Sequence, residues 1–186
     1  MNLPVTLKEV LKPDLFLNIA EELDPNWSLS NGLTTDKGPC FWGKEERTSP
    51  LLIYAASVIK LKLMRVLQTH VNLIRIQVNG QTSGQHSSFH KDFDPEGVWT
   101  FVFFTAPSWN IDWGGEFVCQ VPSSLDYSYT PYIPNNGVLI PSNWWHKGCS
   151  PNNATNYMRT SVAFSFATDG VFDMFQREGQ IITEFL

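Results

Sequence analysis

Three side chains have the types and spacing of a metal-binding set. His90 and Asp92 are separated by one residue, and on a strand such residues project from the same face. An imidazole and a carboxylate then point at one position, while Lys91 faces away. The expected third ligand is His146, 54 positions after Asp92, which reaches the same position if the chain folds back beside the first segment. Two histidines and one carboxylate on one side of an ion leave the opposite coordination positions open, so the sequence predicts a reactive metal centre.

A wider pattern surrounds this ligand set. Its elements, in chain order, are Gly84-Gln85, His90-Lys91-Asp92, Gly114-Gly115-Glu116, Gly137 with Pro141 leading to His146, and Arg159. The ordered pattern resembles the 2-oxoglutarate-dependent, non-haem Fe(II) oxygenases, and within them the prolyl-4-hydroxylase-like branch. The resemblance covers about half of the chain, residues 73–167. Several elements in the right order make it much more specific than the pair of His90 and Asp92 alone.

The resemblance implies a cofactor, its cosubstrates and their binding residues. Fe(II) is expected on the three ligands, which are then the catalytic residues, with 2-oxoglutarate and dioxygen as cosubstrates and ascorbate as an optional reductant. Arg159 is expected to anchor the distal carboxylate of 2-oxoglutarate, because a planar guanidinium can form two parallel hydrogen bonds with a carboxylate. Ser161, on the same strand face, and Thr100 are further candidates for this cosubstrate pocket.

The sequence departs from the family pattern at two positions of that pocket. Gln81 and Phe104 stand where relatives commonly have tyrosines, so the way in which 2-oxoglutarate is held is an open question. The basic residue is Arg159 and not the lysine of collagen-type prolyl hydroxylases, which argues against assuming their substrate. Glu116 is interpreted as part of a turn and strand start, and not as a base, because the two glycines before it favour a special backbone conformation.

Composition sets broad limits on what the protein does. The 186 residues suit a single domain, predicted over 1–186, with a helical support at about 1–70, a core at about 71–168 and a tail at 169–186. A formal net charge of -5 disfavours a nucleic-acid substrate. The three cysteines lack disulfide or zinc spacing, and the sequence shows neither a secretion signal nor an apolar span. We therefore expect reduced thiols, no membrane insertion and a cytoplasmic location; the oligomeric state is not predicted.

Helices are predicted in the first part of the chain. Residues 15–23 have apolar side chains at helical spacing, and 51–67 form the longest helical pattern, with Ser49 as N-cap and Pro50 as the first helical residue. A short edge strand is expected at 5–10, and a hairpin or irregular loops at 26–48.

Strands dominate the second part. They are predicted at 71–78, 98–105, 115–121, 137–140 and 157–167, with a short helix in the tail at 172–186. In the last strand Val162, Phe164 and Phe166 share one parity and Arg159, Ser161, Ala163 and Ser165 the other, so one face suits a helical layer and the other a cavity. The predicted fold is mainly β with α: a double-stranded β-helix, or jelly roll, with the N-terminal helices packed on one sheet.

The substrate is the least determined part of the prediction. A peptidyl proline or a related substrate is the first hypothesis, so a peptide or protein partner is expected beside the small-molecule cosubstrate. Specificity is expected in the loops 81–89, 107–113 and 122–134. His86, Trp144 and Trp145 lie close to the ligands in sequence, and their roles are left open.

Two other classes of function fit parts of the pattern. A cupin-like module could use a jelly roll to bind a metal or a sugar without redox turnover, but it has no need for the anchor at Arg159. A catalytically inactive relative that acts as a scaffold is the third alternative, kept open by Gln81 and Phe104.

Overall fold

The computed structural model describes residues 3–23, 29–30, 41–85, 87–122, 124 and 126–178. Three helices lie in these ranges: α1 (Pro13–Glu22), α2 (Pro50–Leu67) and α3 (Asp169–Arg177). None of the helices in these ranges has the length and apolar character that crossing a membrane requires.

Helix α2 begins and ends where its sequence signals predict. The Ser49 side chain accepts a hydrogen bond from the Leu52 amide at 3.2 Å, which satisfies one of the free donors of the first turn, and Pro50 occupies a position that needs no amide hydrogen. The helix ends at Gln68, whose backbone is left-handed with φ of 55°. Ser49 also donates to Glu22 and so connects the start of α2 to the end of α1.

In the described part of the chain, ten strands form two antiparallel sheets. They are β1 (Val5–Leu7), β2 (Leu29–Ser30), β3 (Phe41–Glu45), β4 (Val71–Gln81), β5 (Val98–Phe104), β6 (Phe117–Gln120), β7 (Tyr127–Thr130), β8 (Gly137–Pro141), β9 (His146–Gly148) and β10 (Arg159–Thr168). The larger sheet has the order β1-β8-β5-β10-β4-β3-β2, and the smaller one the order β7-β6-β9. Strand β10 lies at the centre of the larger sheet, between β4 and β5.

The alternation of side chains on β10 divides the larger sheet into two faces. Val162, Phe164 and Phe166 are fully buried in one apolar cluster with residues of α1 and α2, including Ile19 and Ile59. Residues of the two N-terminal helices thus pack against this face of the larger sheet. The opposite parity, with Arg159, Ser161 and Ala163, lines a cavity between the two sheets. One strand thus anchors the helical layer and supplies the interior.

A second apolar cluster lies between the sheets, beside this cavity. It contains Val102 and Phe104 of β5, Phe117 and Cys119 of β6, and Tyr132. The smaller sheet therefore covers the inner face of the larger one, as predicted for a double-stranded β-helix.

Several element boundaries differ from the predictions. Strands β7 and β9 were not predicted, and β7 lies inside the stretch that the sequence assigned to a specificity loop. The segment 26–48 contains a short hairpin of β2 and β3, while residues 24–28 and 31–40 lie outside the described ranges. The tail helix α3 begins three residues before the prediction, and 179–186 lie outside the described ranges.

The turn between β3 and α2 provides a test of the fold. One carboxylate oxygen of Glu46 accepts hydrogen bonds from the amides of Arg47, Thr48 and Ser49, and Glu46 pairs with Lys44 at 2.8 Å. Burial alone would raise the pKa of Glu46, but Lys44 and Thr48 outweigh it and lower the pKa from 4.5 to about 2. Because the folded-state pKa is depressed, the stabilisation is present above about pH 4.5 and is lost as the pH falls towards 2.

We expect Glu46→Gln to lower the free energy of unfolding at pH 7 by about 1–2 kcal/mol, measured by urea denaturation, because a charge-assisted network is weakened. The difference from the native chain should shrink between pH 4.5 and 2. Glu45→Gln is the matched control, since Glu45 is exposed and pairs with Arg47, so its effect should stay within about 0.5 kcal/mol. Equal losses in the two variants would contradict this role of Glu46.

Candidate metal centre

The two segments that carry the predicted ligands are joined by their backbones. His90 and His146 form an isolated antiparallel bridge, in which each amide donates to the other residue's carbonyl at 3.0 and 2.9 Å. The Asp92 amide donates to the Ser142 carbonyl at 3.0 Å. The prediction that the chain folds back to bring His146 beside the first pair is confirmed. His90 and Asp92, however, lie in a loop and not on a strand, and this one bridge and the turn at Ser142 position them.

The three side chains converge on one point. Their ligand atoms all lie within 4.8 Å of one another, with Asp92 Oδ1 at 3.7 Å from His90 Nε2 and Asp92 Oδ2 at 3.5 Å from His146 Nε2. The side chains of Asp92 and His146 are 6 and 4% exposed, whereas that of His90 is 22% exposed and lies nearer to solvent. Two imidazoles and a carboxylate at this separation fit a first-row divalent ion.

Hydrogen bonds fix the tautomers of both histidines. His90 Nδ1 lies 3.0 Å from the Ser88 carbonyl, and His146 Nδ1 lies 2.9 Å from the Trp144 carbonyl. A carbonyl oxygen can only accept, so each Nδ1 carries the hydrogen and each Nε2 keeps its lone pair for a metal ion. Burial and the neighbouring His146 lower the pKa of His90, which favours the neutral form that binds metals.

Asp92 is held as a carboxylate. Burial alone would raise the pKa of Asp92, but His146, Arg75 and His90 outweigh it and hold the pKa well below its ordinary value. Its Oδ2 accepts a hydrogen bond from the Thr100 hydroxyl at 2.7 Å, and Oδ1 lies 3.4 Å from Arg75 Nη2. The ionised carboxylate is the form that a metal ion requires.

Thr100 lies with the metal ligands and not with Arg159. Its hydroxyl is within 2.8 Å of Ser142 Oγ and donates to Asp92, and the side chain is fully buried. No hydrogen bond joins it to Arg159 in the described structure. The geometry supports a role in orienting Asp92, while direct contact of Thr100 with a cosubstrate stays a prediction.

Arg159 lies in the same cavity and is 2% exposed. Its Nε donates to the Gly115 carbonyl at 2.7 Å, and its Nη1 donates to Gln81 Oε1 at 3.1 Å and to Ser161 Oγ at 3.2 Å. Its Nη2 is buried and has no partner, and no carboxylate within 4 Å neutralises the guanidinium in the described residues. Burial lowers the pKa of Arg159. A buried cation with an unused donor is a receptor for an anion.

Two glycines make room for this guanidinium. A Cβ on Gly148 would lie 3.2 Å from Arg159 Nη1 and 3.0 Å from Gln81 Oε1, and a Cβ on Gly115, whose φ is 86°, would lie 3.2 Å from Arg159 Cδ. Gly148 and His146 are two residues apart on β9, so their α-carbons are separated by roughly 6–7 Å. The guanidinium therefore lies beside the strand that carries His146, in the same cavity as the metal ligands.

The two departures from the family pattern both contact Arg159. Gln81 holds Nη1 and also donates to the Gly148 carbonyl at 3.1 Å, and the Phe104 ring lies 5.8 Å from the guanidinium carbon. Tyr132, which sequence reasoning missed, lies closer, at 5.0 Å, and its hydroxyl donates to Thr160 and accepts from Ala106. Its only sequence signal was a tyrosine inside a segment interpreted as loop.

The other residues singled out near the ligands take different positions. Trp144 is partly buried against the inner cluster, whereas Trp145 is 48% exposed and lies 5.5 Å from the Lys91 amine. Cys119 is fully buried and pairs with His146 in the smaller sheet, and burial raises the pKa of its thiol to about 11. His86 lies outside the described residues.

Comparison with known proteins gives matches in structure but not in sequence. No protein-family model matches the chain, and no curated protein matches its sequence. A prolyl-4-hydroxylase from Pseudomonas putida matches with a TM-score of 0.70 at 12% identity, over 89% of this chain and 92% of that one. A prolyl hydroxylase in complex with a hypoxia inducible factor peptide fragment, from Trichoplax adhaerens, gives 0.72 at 15% identity, over 94 and 87%. The chain has the 2-oxoglutarate oxygenase fold.

A third oxygenase structure adds ligands to this comparison. HygX from Streptomyces hygroscopicus, solved with nickel and 2-oxoglutarate bound, matches with a TM-score of 0.67 at 10% identity, over 89% of this chain and 83% of that one. Within the oxygenase fold described here, the cavity of about 430 Å³ contains both the ligand set and Arg159. The predicted fold class is thus confirmed by the sheet topology and by these matches.

The hydroxyl of Thr100 gives a test of how Asp92 is held. We expect Thr100→Val to weaken Co(II) binding by about 10- to 100-fold, because a hydrogen bond that orients a metal ligand is lost at nearly constant volume. Visible absorption of the Co(II) complex measures the affinity. Ser165→Ala is the matched control, because Ser165 lies opposite Thr100 on β10 and its buried hydroxyl has no partner among the described residues. A loss of affinity as large in Ser165→Ala would contradict the specific role of Thr100.

Proposed function

We propose that this protein is a 2-oxoglutarate-dependent Fe(II) dioxygenase that hydroxylates a C–H bond, of a peptidyl proline or a related substrate. The observation that carries the proposal is the buried Nη2 of Arg159, which has no partner among the described residues and lies in the cavity that also contains His90, Asp92 and His146. A metal site alone would fit many functions. A metal site beside an uncompensated arginine fits a cosubstrate with an anionic end.

Each residue of the site has a task in this reaction. His90, Asp92 and His146 would hold Fe(II) on one side, which leaves positions for the cosubstrates. Fe(II) supplies the chemistry that couples decarboxylation of 2-oxoglutarate to hydroxylation, so that 2-oxoglutarate and dioxygen become succinate, carbon dioxide and the hydroxyl group of the product. Arg159 binds the distal carboxylate, with Ser161 as a further donor beside it.

The remaining groups prepare the cavity. Gln81 and the Gly115 carbonyl fix the guanidinium in one orientation, so no rotation is needed when the carboxylate arrives. Val102, Phe117 and Ala163 line the cavity and exclude water from the cosubstrate chain. Ascorbate, as a reductant that restores Fe(II), is part of the proposal as well.

The relatives in structure support a peptide as the first substrate to try. Two of them are prolyl hydroxylases, and one of these was solved with a peptide fragment. No contact described here favours a cupin-like module that binds a metal or a sugar without turnover. Such a module has no anionic ligand that would neutralise the buried charge of Arg159.

The test is succinate formation from 2-oxoglutarate by the Fe(II)-loaded protein after oxygen is admitted. We expect slow turnover without substrate, loss of turnover in His90→Ala, and a KM for 2-oxoglutarate raised at least ~30-fold in Arg159→Ala, because a buried charge pair is broken. Arg65→Ala is the control, since Arg65 is exposed on α2 and should leave the KM unchanged.

Absence of succinate in the native protein, together with an unchanged visible spectrum on anaerobic addition of 2-oxoglutarate, would overturn the proposal. An unchanged KM in Arg159→Ala would overturn the role of Arg159 while leaving the metal chemistry intact.

A further inference from the structure

The inward face of β4 is polar from Arg75 to the end of the strand at Gln81. Arg75, Gln77, Asn79 and Gln81 alternate on this strand and all line the cavity. Gln81 is bound to Arg159 and Arg75 lies near Asp92, whereas Gln77 and Asn79 have no task in the chemistry described above. A polar cavity wall of this kind suits a ligand with hydrogen-bonding groups, because polar side chains that face a binding site need hydrogen-bond partners when water is displaced.

Arg75 is the charged member of this row, and its charge is only partly compensated. Its Nη2 lies 3.4 Å from Asp92 Oδ1, and its Nε is buried and has no partner among the described residues. The Phe93 ring lies 5.3 Å from the guanidinium carbon and covers one face of it. Asp92 accepts a shorter bond from Thr100 and is one of the metal ligands, so its negative charge is shared with the ion.

A second cation lies beside the ligands. Lys91 lines the cavity, and its nearest carboxylate is Asp94 at 3.9 Å, whose side chain is 91% exposed. An ion pair at that distance in solvent contributes little. Lys44 and Glu45, which also line the cavity, are in contrast paired with Glu46 and Arg47 at 2.8 and 2.7 Å.

The charges in the cavity do not balance without a further anion. A divalent metal ion and Arg159 would be neutralised by Asp92 and the two carboxylates of 2-oxoglutarate. The positive charges of Arg75 and Lys91 remain uncompensated, so the electrostatic potential in the cavity beside the metal ligands is positive. In a cavity with a low dielectric, this arrangement attracts a negatively charged substrate.

We propose that the substrate carries a carboxylate close to the C–H bond that is oxidised, and that Arg75 binds this carboxylate, with Gln77 and Asn79 contacting the neighbouring polar groups. This inference rests on the proposed function and specifies its substrate class. The cavity of about 430 Å³ is near the lower end for small-molecule sites and also has to hold 2-oxoglutarate, so it takes one small unit. That unit is either a free amino or imino acid or a residue with an acidic neighbour in a peptide.

The experiment compares acids with their uncharged amides. Protein loaded with Zn(II) and saturated with 2-oxoglutarate is titrated calorimetrically, because Zn(II) permits binding without turnover. The probes are the free L-amino acids with their primary amides, and capped peptides that differ only in Pro-Asp against Pro-Asn. We expect at least one acid to bind ~10-fold or more tightly than its amide, because the amide cannot form the charge-assisted pair. Preference for a free acid or for the Pro-Asp peptide identifies the source of the carboxylate.

Variants of Arg75 separate binding from a structural role. In Arg75→Met the acid should bind as weakly as its amide, and Arg75→Lys should restore part of the preference. The ratio of acid to amide is measured within each variant, so a general loss of metal or of stability does not change it. Arg65→Met is the control, since Arg65 is exposed on α2 and does not line the cavity, so the native ratio should be kept.

Three results would overturn the inference: equal binding of acid and amide in every pair, an Arg75→Met variant that weakens both members equally, or no binding by any acid. Succinate formation without substrate is measured on the same native preparation. Failure of that assay counts against the oxygenase proposal, whereas its success with no preference for acids counts against the role of Arg75 alone.

Discussion

Burial of the Arg159 guanidinium is the constraint on which much of the interior depends. A cation removed from water costs several kcal/mol unless its donors are bound and its charge is compensated. The fold supplies three acceptors, from Gly115, Gln81 and Ser161, and the faces of two aromatic rings. It leaves one donor unused and supplies no counter-ion among the described residues. An anion bound in the cavity would complete the compensation through the unused Nη2 donor.

The same constraint explains why residues far apart in the chain must be small or polar. Gly115, just before β6, and Gly148, on β9, lie against the arginine, where any side chain would press on it. Gln81 is paired with Arg159 across β4 and β10, so the register of these strands sets the distance from amide to guanidinium. The helical layer on the outer face fixes that register, because a slip of one residue would turn Phe164 inward and Arg159 towards the helices.

Sequence reasoning succeeded where the pattern was long or the chemistry was distinctive. The capped helix α2, the alternation on β10 and the convergence of His90, Asp92 and His146 all follow from spacing and residue type. It failed for β7 and β9, which have four and three residues and are too short for alternation to be recognised. It also used strand geometry to argue that His90 and Asp92 converge, although one bridge in a loop is enough to position His90.

Side-chain partners were harder to predict than backbone elements. The contact of Thr100 with Asp92 depends on how the loop that contains Asp92 lies relative to β5. No local sequence signal predicts that position. Tyr132 reaches Arg159 from outside any strand, so its role was visible only in three dimensions. The polar row on β4 was readable from sequence, but its meaning required knowing that this face, and not the other, lines the cavity.

The burial of Cys119 affects how easily its thiol is oxidised. It is the strand neighbour of His146, one of the three candidate metal ligands, and thiolates are the side chains that oxidants attack first. Apolar burial raises the pKa of this thiol to about 11, so at neutral pH almost none of it is ionised. The packing that shapes the inner wall thereby also keeps this sulfur in the poorly reactive thiol form, directly beside the candidate metal site.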